Sequence, residues 1–227
     1  MEKKIKLPVV IFDFDGTLTF GKTNKTTWET IWEHLGYPVL DCKELHARFN
    51  REEITHEQWC EITQEKFIAK SLHQDYFDEI VKKIKLFPDI KFVFEYLRSH
   101  YIKIYIVSGS ILQVIQRVLG SYCQYVDDIS ANSFIFDNNG LLLRIVGTKY
   151  DFLGKAHYIQ NIMNELKVPG EDILFVGNSI NDQQAYFSGA KTLLINPIHT
   201  DTYNSKIWNH VIEESNSLKD ILKYVKI

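Results

Sequence analysis

Four apolar residues, Val9-Val10-Ile11-Phe12, open the readable pattern, and a β-branched or aromatic run of this kind predicts a strand buried on both faces. It stops abruptly at Asp13-Phe14-Asp15-Gly16-Thr17-Leu18-Thr19. The pattern then changes period. Trp28, Ile31, Trp32 and Leu35 fall at i, i+3, i+4 and i+7, with Gly36 and Pro38 closing that helix, and Cys42, Leu45 and Phe49 form a second apolar stripe. Thr55-His56-Glu57-Gln58 has the form of a capping box ahead of Trp59 and Ile62, and Phe77, Ile80, Val81 and Ile84 repeat the helical spacing. No strand signal interrupts this stretch. It predicts a small helical bundle, residues 21–86, inserted after the first strand.

From Pro88 onward strand and helix alternate. Ile90, Val93, Phe94 and Leu97 give a helix face, Ile102 to Val107 a strand, and Ile111, Val114, Ile115 and Val118 a helix stopped by Gly120. Ser133–Asp137 and Leu141–Gly147 flank Asn138-Asn139-Gly140, a hairpin signal. A helix over 152–166, buried strands at Asp172–Gly177 and Lys191–Asn196, and a last helix with Leu218, Ile221, Leu222 and Val225 complete the chain. This alternation predicts an α/β fold, a doubly wound and mostly parallel sheet, formed by residues 1–20 and 87–227.

Composition narrows the partners. The chain has 227 residues, 45% of them hydrophobic, and a formal net charge of −3, so it carries no basic field for nucleic acid or an anionic membrane. A small molecule is the expected partner. Cys42, Cys60 and Cys123 are odd in number and widely spaced, which fits reduced thiols. The first apolar run is cut by Asp13 too early for a signal segment or a membrane span, so a cytoplasmic location is expected.

The candidate chemistry lies where apolar strands end. On extended backbone Asp13 and Asp15 point to one side while Phe14 turns to the core, so two acids share a small volume. Their repulsion is relieved by a cation between them, and an oxygen-only site suits Mg²⁺. Gly16 permits a sharp turn that presents bare N–H groups, and Thr17 adds a hydroxyl. A metal beside an anion nest points to a phosphate. The bland reading is an edge strand ending in two solvated acids. Ser108-Gly109-Ser110 follows another predicted strand, where N–H groups and a hydroxyl can hold a phosphoryl oxygen, or where Ser108 or Ser110 caps a helix. Lys155, near a helix start, is better explained by a bound anion than by a surface role, with Lys149 as its rival. Asn178 and Asp182 sit in Gly177-Asn178-Ser179-Ile180-Asn181-Asp182, after a third strand.

These clusters carry a resemblance. DFDGTLT, residues 13–19, resembles the first motif of the haloacid dehalogenase superfamily. Ser108-Gly109-Ser110 resembles its second motif, Lys155 its third, and Gly177 to Asp182 its fourth. The order of motifs along the chain is similar to the phosphoserine phosphatase-like branch, with a helical cap after the first strand. The resemblance implies an Mg²⁺-dependent phosphatase acting on a small phosphomonoester through an aspartyl-phosphate. Asp13 would be the nucleophile and Asp15 the general acid/base. Gly16, Thr17, Ser108, Gly109, Lys155 and Asn181 would bind phosphate; Asp13, the backbone carbonyl of Asp15, Asn178 and Asp182 would surround the metal.

Two departures stand out. Asn178 replaces an acid that ligates the metal in most relatives; its carbonyl can coordinate Mg²⁺ but brings no charge. Residues 20–27 contain no acid and 58–67 no arginine, the types that hold phosphoserine in that branch. A phosphotransferase on the same residues, or a weakened member that binds phosphate, stays open; a response-regulator receiver is opposed by length and by the helical insertion. Trp28, Trp32 and Trp59 are expected in the bundle core, with His46, His56, Arg48 and Arg51 within reach of a substrate's distal group.

Overall fold

The computed structural model describes residues 8–20, 25–151, 154–197 and 206–226. Seven strands form one sheet: β1 (Val9–Phe12), β2 (Lys103–Ile111), β3 (Asp128–Phe136), β4 (Leu142–Val146), β5 (Ile173–Gly177), β6 (Lys191–Ile195) and β7 (His210–Ile212). Their order is β4-β3-β2-β1-β5-β6-β7, and every neighbouring pair is parallel except the β3–β4 hairpin. The strand order reverses at β1, which therefore lies at a topological switch point where ligands of such sheets bind.

Alternation along β1 feeds two layers. Val10 and Phe12 pack with Phe94, Ile104, Val176 and Leu218 on one face; Val9 and Ile11 pack with Tyr158, Ile159 and Phe175 on the other. Helix α5 (Ile90–Ser99) covers the first face and leads into β2, and α7 (Gly154–Leu166) covers the second and leads into β5, both strands parallel to β1. All four β1 residues are buried, so each contributes about 1.5–3 kcal/mol of transfer free energy to holding this strand central.

The inserted segment is helical as its spacing predicts: α1 (Thr27–His34), α2 (Val39–Asn50), α3 (His56–Ala69) and α4 (Tyr76–Val81). Thr26 and Thr55 each close a capping box, with Glu29 and Gln58 as the reciprocal partners. The apolar centre of this insertion is not self-contained. Trp28, Trp32, Phe67 and Phe77 share it with Val114 of α6 (Leu112–Leu119) and with Phe134, Leu142 and Ile145 of the hairpin. Polar ties reinforce that seam: the Ile145 N–H donates to Gln64 Oε1 at 2.9 Å and the Leu142 N–H to the Leu72 carbonyl at 2.9 Å.

Several boundaries differ from the pattern. Ser108-Gly109-Ser110 is still extended, because β2 runs on to Ile111, and the helix begins only at Leu112. The cause is Asn132 on β3, whose amide donates to the carbonyls of Gly109 (2.7 Å) and Ser110 (3.3 Å) and holds that backbone straight across a register shift. Leu218–Tyr224 winds as a 3₁₀ helix instead of an α-helix, and Ile180–Ser188 is 3₁₀ as well. The three-residue strand β7 is too short to carry a periodic signal. Helix α7 begins at Gly154 among the described residues; Phe152 and Leu153, expected as its first turn, lie outside them. Cys42, Cys60 and Cys123 are free thiols, the first two buried. No described helix is long and apolar enough to cross a membrane.

Candidate active site

Register brings the polar clusters together. Phe12 pairs with Ile106 on one side and Val176 on the other, so Asp13 and Asn178, just past their strands, and Ser108, still within β2, lie one or two residues beyond the same row. The Asp13 N–H donates to the Val176 carbonyl at 2.9 Å, which fixes its backbone. All three side chains are buried.

Asp13 meets Lys155 there. The Lys155 ammonium donates to Asp13 Oδ1 at 2.9 Å and also to Asp182 Oδ1, and only 2% of the lysine is exposed. One cation thus faces two buried carboxylates, which leaves the cluster one negative charge in excess. Burial pushes the Asp13 carboxyl up to about 7, with Lys155 pulling against that rise. The same two acids overcome desolvation at Lys155 and raise its value, so the lysine stays charged. Lys149, its rival in sequence, is exposed.

Asp15 points the other way along the loop, to the insertion. Its carboxylate accepts from the Thr27 hydroxyl (2.8 Å) and the Thr27 N–H (3.2 Å) at the start of α1. Desolvation raises its pKa, while these bonds and the nearby Ser110 hydroxyl moderate the rise. An acid so placed keeps a proton more readily than a surface aspartate and is still able to lose it.

The loop between them depends on glycine. Gly16 has φ +80°, and a Cβ there would stand 2.0 Å from Asn178 Nδ2, so only glycine lets the Asn178 amide close over the turn. The Thr17 hydroxyl, fully buried, lies 3.5 Å from Asp13 Oδ2 and 3.4 Å from Asn178 Oδ1. Ser108 directs its Oγ to the Ser110 N–H at 3.2 Å. Asp182 does not open towards the site. Its Oδ2 accepts from the N–H groups of Asn178 and Ser179 and from the Ser179 hydroxyl, and its Oδ1 from Lys155, so it clamps the loop and orients the lysine. Asn181 is half-buried at the rim, on the 3₁₀ segment.

The donors fit a hard cation. The carboxylate of Asp13 and the amide oxygen of Asn178 both lie near the Thr17 hydroxyl, at 3.5 Å and 3.4 Å, and present a cation with oxygen alone. No group of three or more His, Cys, Asp or Glu side chains among the described residues is arranged to hold a metal.

The tryptophans divide. Trp32 is entirely in the bundle core, as expected, but Trp28 and Trp59 also line a cleft above the site together with His46, Phe49, His56 and Asp151. Arg48 and Arg51 are turned to surface pairs with Glu53 and Glu44. Asp151 escapes sequence reasoning because nothing in its own neighbourhood marks it. It arrives through the loop after β4, and a Cβ on Gly109 would stand 2.5 Å from its Oδ1.

A buried carboxylate beside a switch-point strand, a second acid two residues on, a buried lysine and an amide loop thus meet at one edge of a doubly wound sheet. The haloacid dehalogenase-like hydrolase family matches residues 7–186, and the chain belongs to that family. Solved structures give the same fold. A phosphoserine phosphatase described as a phospho-aspartyl intermediate analogue superposes with a TM-score of 0.75 at 19% identity, covering 97% of this chain and 100% of that one. A substrate-bound phosphoserine phosphatase complex matches equally, with a TM-score of 0.75, 19% identity and coverage of 97% and 99%. A HAD family hydrolase from Salmonella enterica serovar Typhi follows at 0.72 and 15% identity, covering 91% of this chain and 68% of that one. No curated protein sequence matches.

Proposed function

We propose that this chain is a phosphatase that hydrolyses a small phosphomonoester through an aspartyl-phosphate on Asp13. The observation that carries this reading is the buried Asp13–Lys155 pair at 2.9 Å beside an acid, Asp15, held separately by Thr27. One carboxylate is kept available to attack and the other to carry a proton.

The Asp13 carboxylate attacks phosphorus, a C–O–P acyl phosphate forms, and the bond to the leaving alcohol oxygen breaks as Asp15 delivers its proton there. Water then attacks the same phosphorus while Asp15 takes its proton, releasing inorganic phosphate and restoring the Asp13 carboxylate. Lys155, the Thr17 and Ser108 hydroxyls and the N–H groups around Gly16 and Gly109 hold the equatorial oxygens, with Asn181 at the rim. Mg²⁺ held by Asp13, Asn178 and the Asp15 carbonyl would neutralise charge on the transferring group. The helices of residues 21–86 act as a cap over this floor.

The test is phosphate release from a panel of phosphorylated metabolites with and without Mg²⁺, with Asp13→Asn alongside. Release by the natural chain alone supports the reading, and equal release by the variant overturns it. Asn178 favours a second reading, a weakened member that binds phosphate without turning it over; Asn178→Asp gaining activity on the same panel would distinguish it.

A further inference from the structure

Behind Ser108 the sheet is irregular, and the irregularity bears on how a phosphoryl group would be held, a role that rests on the phosphatase reading above. Val107 pairs with Ser130 and Ile111 with Asn132, so Ser108, Gly109 and Ser110 of β2 stand opposite Ala131 alone. Bulges are rare between parallel strands and gather beside active sites, where they re-aim side chains. The surplus residues lose ladder partners, and buried backbone groups need others in their place.

Asn132 supplies them. Its side chain is fully buried; its Nδ2 donates to the Gly109 carbonyl at 2.7 Å and the Ser110 carbonyl at 3.3 Å, while its Oδ1 accepts the Thr148 N–H at 2.8 Å. An aspartate of the same shape would bring acceptors alone and a leucine neither kind of group, so the amide is what this position uses. The Gly109 carbonyl also accepts the indole N–H of Trp28, at 2.7 Å, from helix α1. One carbonyl oxygen thus takes a donor from the sheet and a donor from the insertion.

That carbonyl belongs to the same peptide as the Ser110 N–H. A trans peptide is planar with its C=O and N–H opposed, so pinning one aims the other. The Ser110 N–H donates to Ser108 Oγ at 3.2 Å. Ser108 therefore accepts from its own loop and keeps its hydroxyl proton to donate. Donors on the Gly109 carbonyl also polarise the N–H of that peptide and, through it, the hydroxyl, an effect that burial strengthens. Ser108 is 2% exposed. We propose that Asn132 is a positioning residue for the phosphoryl group: it fixes the Gly109–Ser110 peptide, which in turn fixes the Ser108 hydroxyl as a donor to a phosphoryl oxygen. Trp28 acts on the same carbonyl from the insertion.

The experiment is a double-mutant cycle of Asn132→Leu and Ser108→Ala. It is read as kcat/KM with Mg²⁺ on the fastest ester of the metabolite panel, and as the dissociation constant of inorganic phosphate followed by phosphorus NMR. Ser108→Ala should lower kcat/KM by roughly 10²-fold, the usual cost of one donor to a developing anion. Asn132→Leu should lower it by about tenfold, and the double variant should lie no more than about twofold below Ser108→Ala, because the two act in series. A side chain that only braced the bulge would give losses that multiply, and multiplied losses overturn the proposal; so does full activity in either single variant. Should Asn132→Leu fail to fold, Trp28→Phe takes its place in the cycle, since it removes the other donor from the same carbonyl; a loss of about threefold is expected, absent again in the Ser108→Ala background. The phosphate titration separates the two readings. If the natural chain binds phosphate but hydrolyses no ester, the phosphatase reading fails and the same cycle, read on phosphate affinity, decides the role of Asn132. A natural chain that neither hydrolyses nor binds phosphate sinks both.

Discussion

The floor and the roof of the site are built by different means. The floor comes from three parallel strands whose register delivers Asp13, Ser108 and Asn178 to one crevice, and its polar groups are nearly all engaged: Lys155 with two acids, Asp182 with four donors, Asp15 with Thr27. The roof comes from three helices and one loop, and it offers aromatic side chains and one carboxylate. Buried charge held in such contacts tolerates little change, because removing one partner strands the other. Aromatic walls tolerate more, because ring contacts are individually small. A substitution should therefore cost more in the floor than in the roof.

The strongest way to break that division is Asp13→Asn, which should lower phosphate release by at least about 10⁴-fold if this side chain is the nucleophile. The same variant carries a pH signature. The folded value of Asp13, about 7, lies above its ordinary 3.8, so the folded chain holds an extra proton between those limits. Metal-free stability should therefore fall as pH rises from about 4 to 7, and the thermal melts of Asp13→Asn should lack that part of the slope. Retention of the slope would place the titrating group elsewhere.

Lys155→Ala should rank next, since it leaves Asp13 and Asp182 buried without a counter-ion. A loss of about 3–5 kcal/mol is expected in urea unfolding, together with a fall in kcat. Asn178→Asp sharpens the floor instead of breaking it. A further carboxylate beside Asp13 should lower the melting temperature without metal and lower the Mg²⁺ concentration needed for half-maximal activity by roughly tenfold, about 1.4 kcal/mol of added affinity. An unchanged requirement would mean that Asn178 is not a ligand.

Thr27→Val tests the link between the halves. It deletes the 2.8 Å hydroxyl bond that favours the charged form of Asp15, so the pH profile of kcat/KM should move upward while KM changes little. A shift in KM alone would make Thr27 a substrate contact. Arg51→Ala should do least, because that guanidinium is half-exposed in its pairs with Glu53 and Glu44. Its activity should be unaltered and its melting temperature unchanged within about 2 °C.

How much of this was legible beforehand follows the same boundary. The floor could be read from local signals, because each of its groups sits directly after a run of apolar residues: Asp13 after Phe12, Ser108 after Val107, Asn178 after Val176-Gly177. Lys155 could be preferred over Lys149 because a lysine at a helix start needs an anion, and the structure supplies two. Where local reasoning failed, a distant partner had intervened. Asn132 keeps Ser108-Gly109-Ser110 extended from the neighbouring strand, whereas Asp182 is closed off within its own loop, where it forms a capping box with Ser179.

The sequence by itself determined the doubly wound α/β sheet, the helical insertion and the residues at the strand ends, because periods of 2 and 3.6 and the chemistry of strand termini are local properties. Only the tertiary structure decided that Trp28 and Trp59 form walls as well as core, that Thr27 holds Asp15 and that Asp151 stands over Gly109. Those contacts join residues far apart in the chain, and their geometry comes from how the insertion seats on the hairpin, which depends on packing shared between the two.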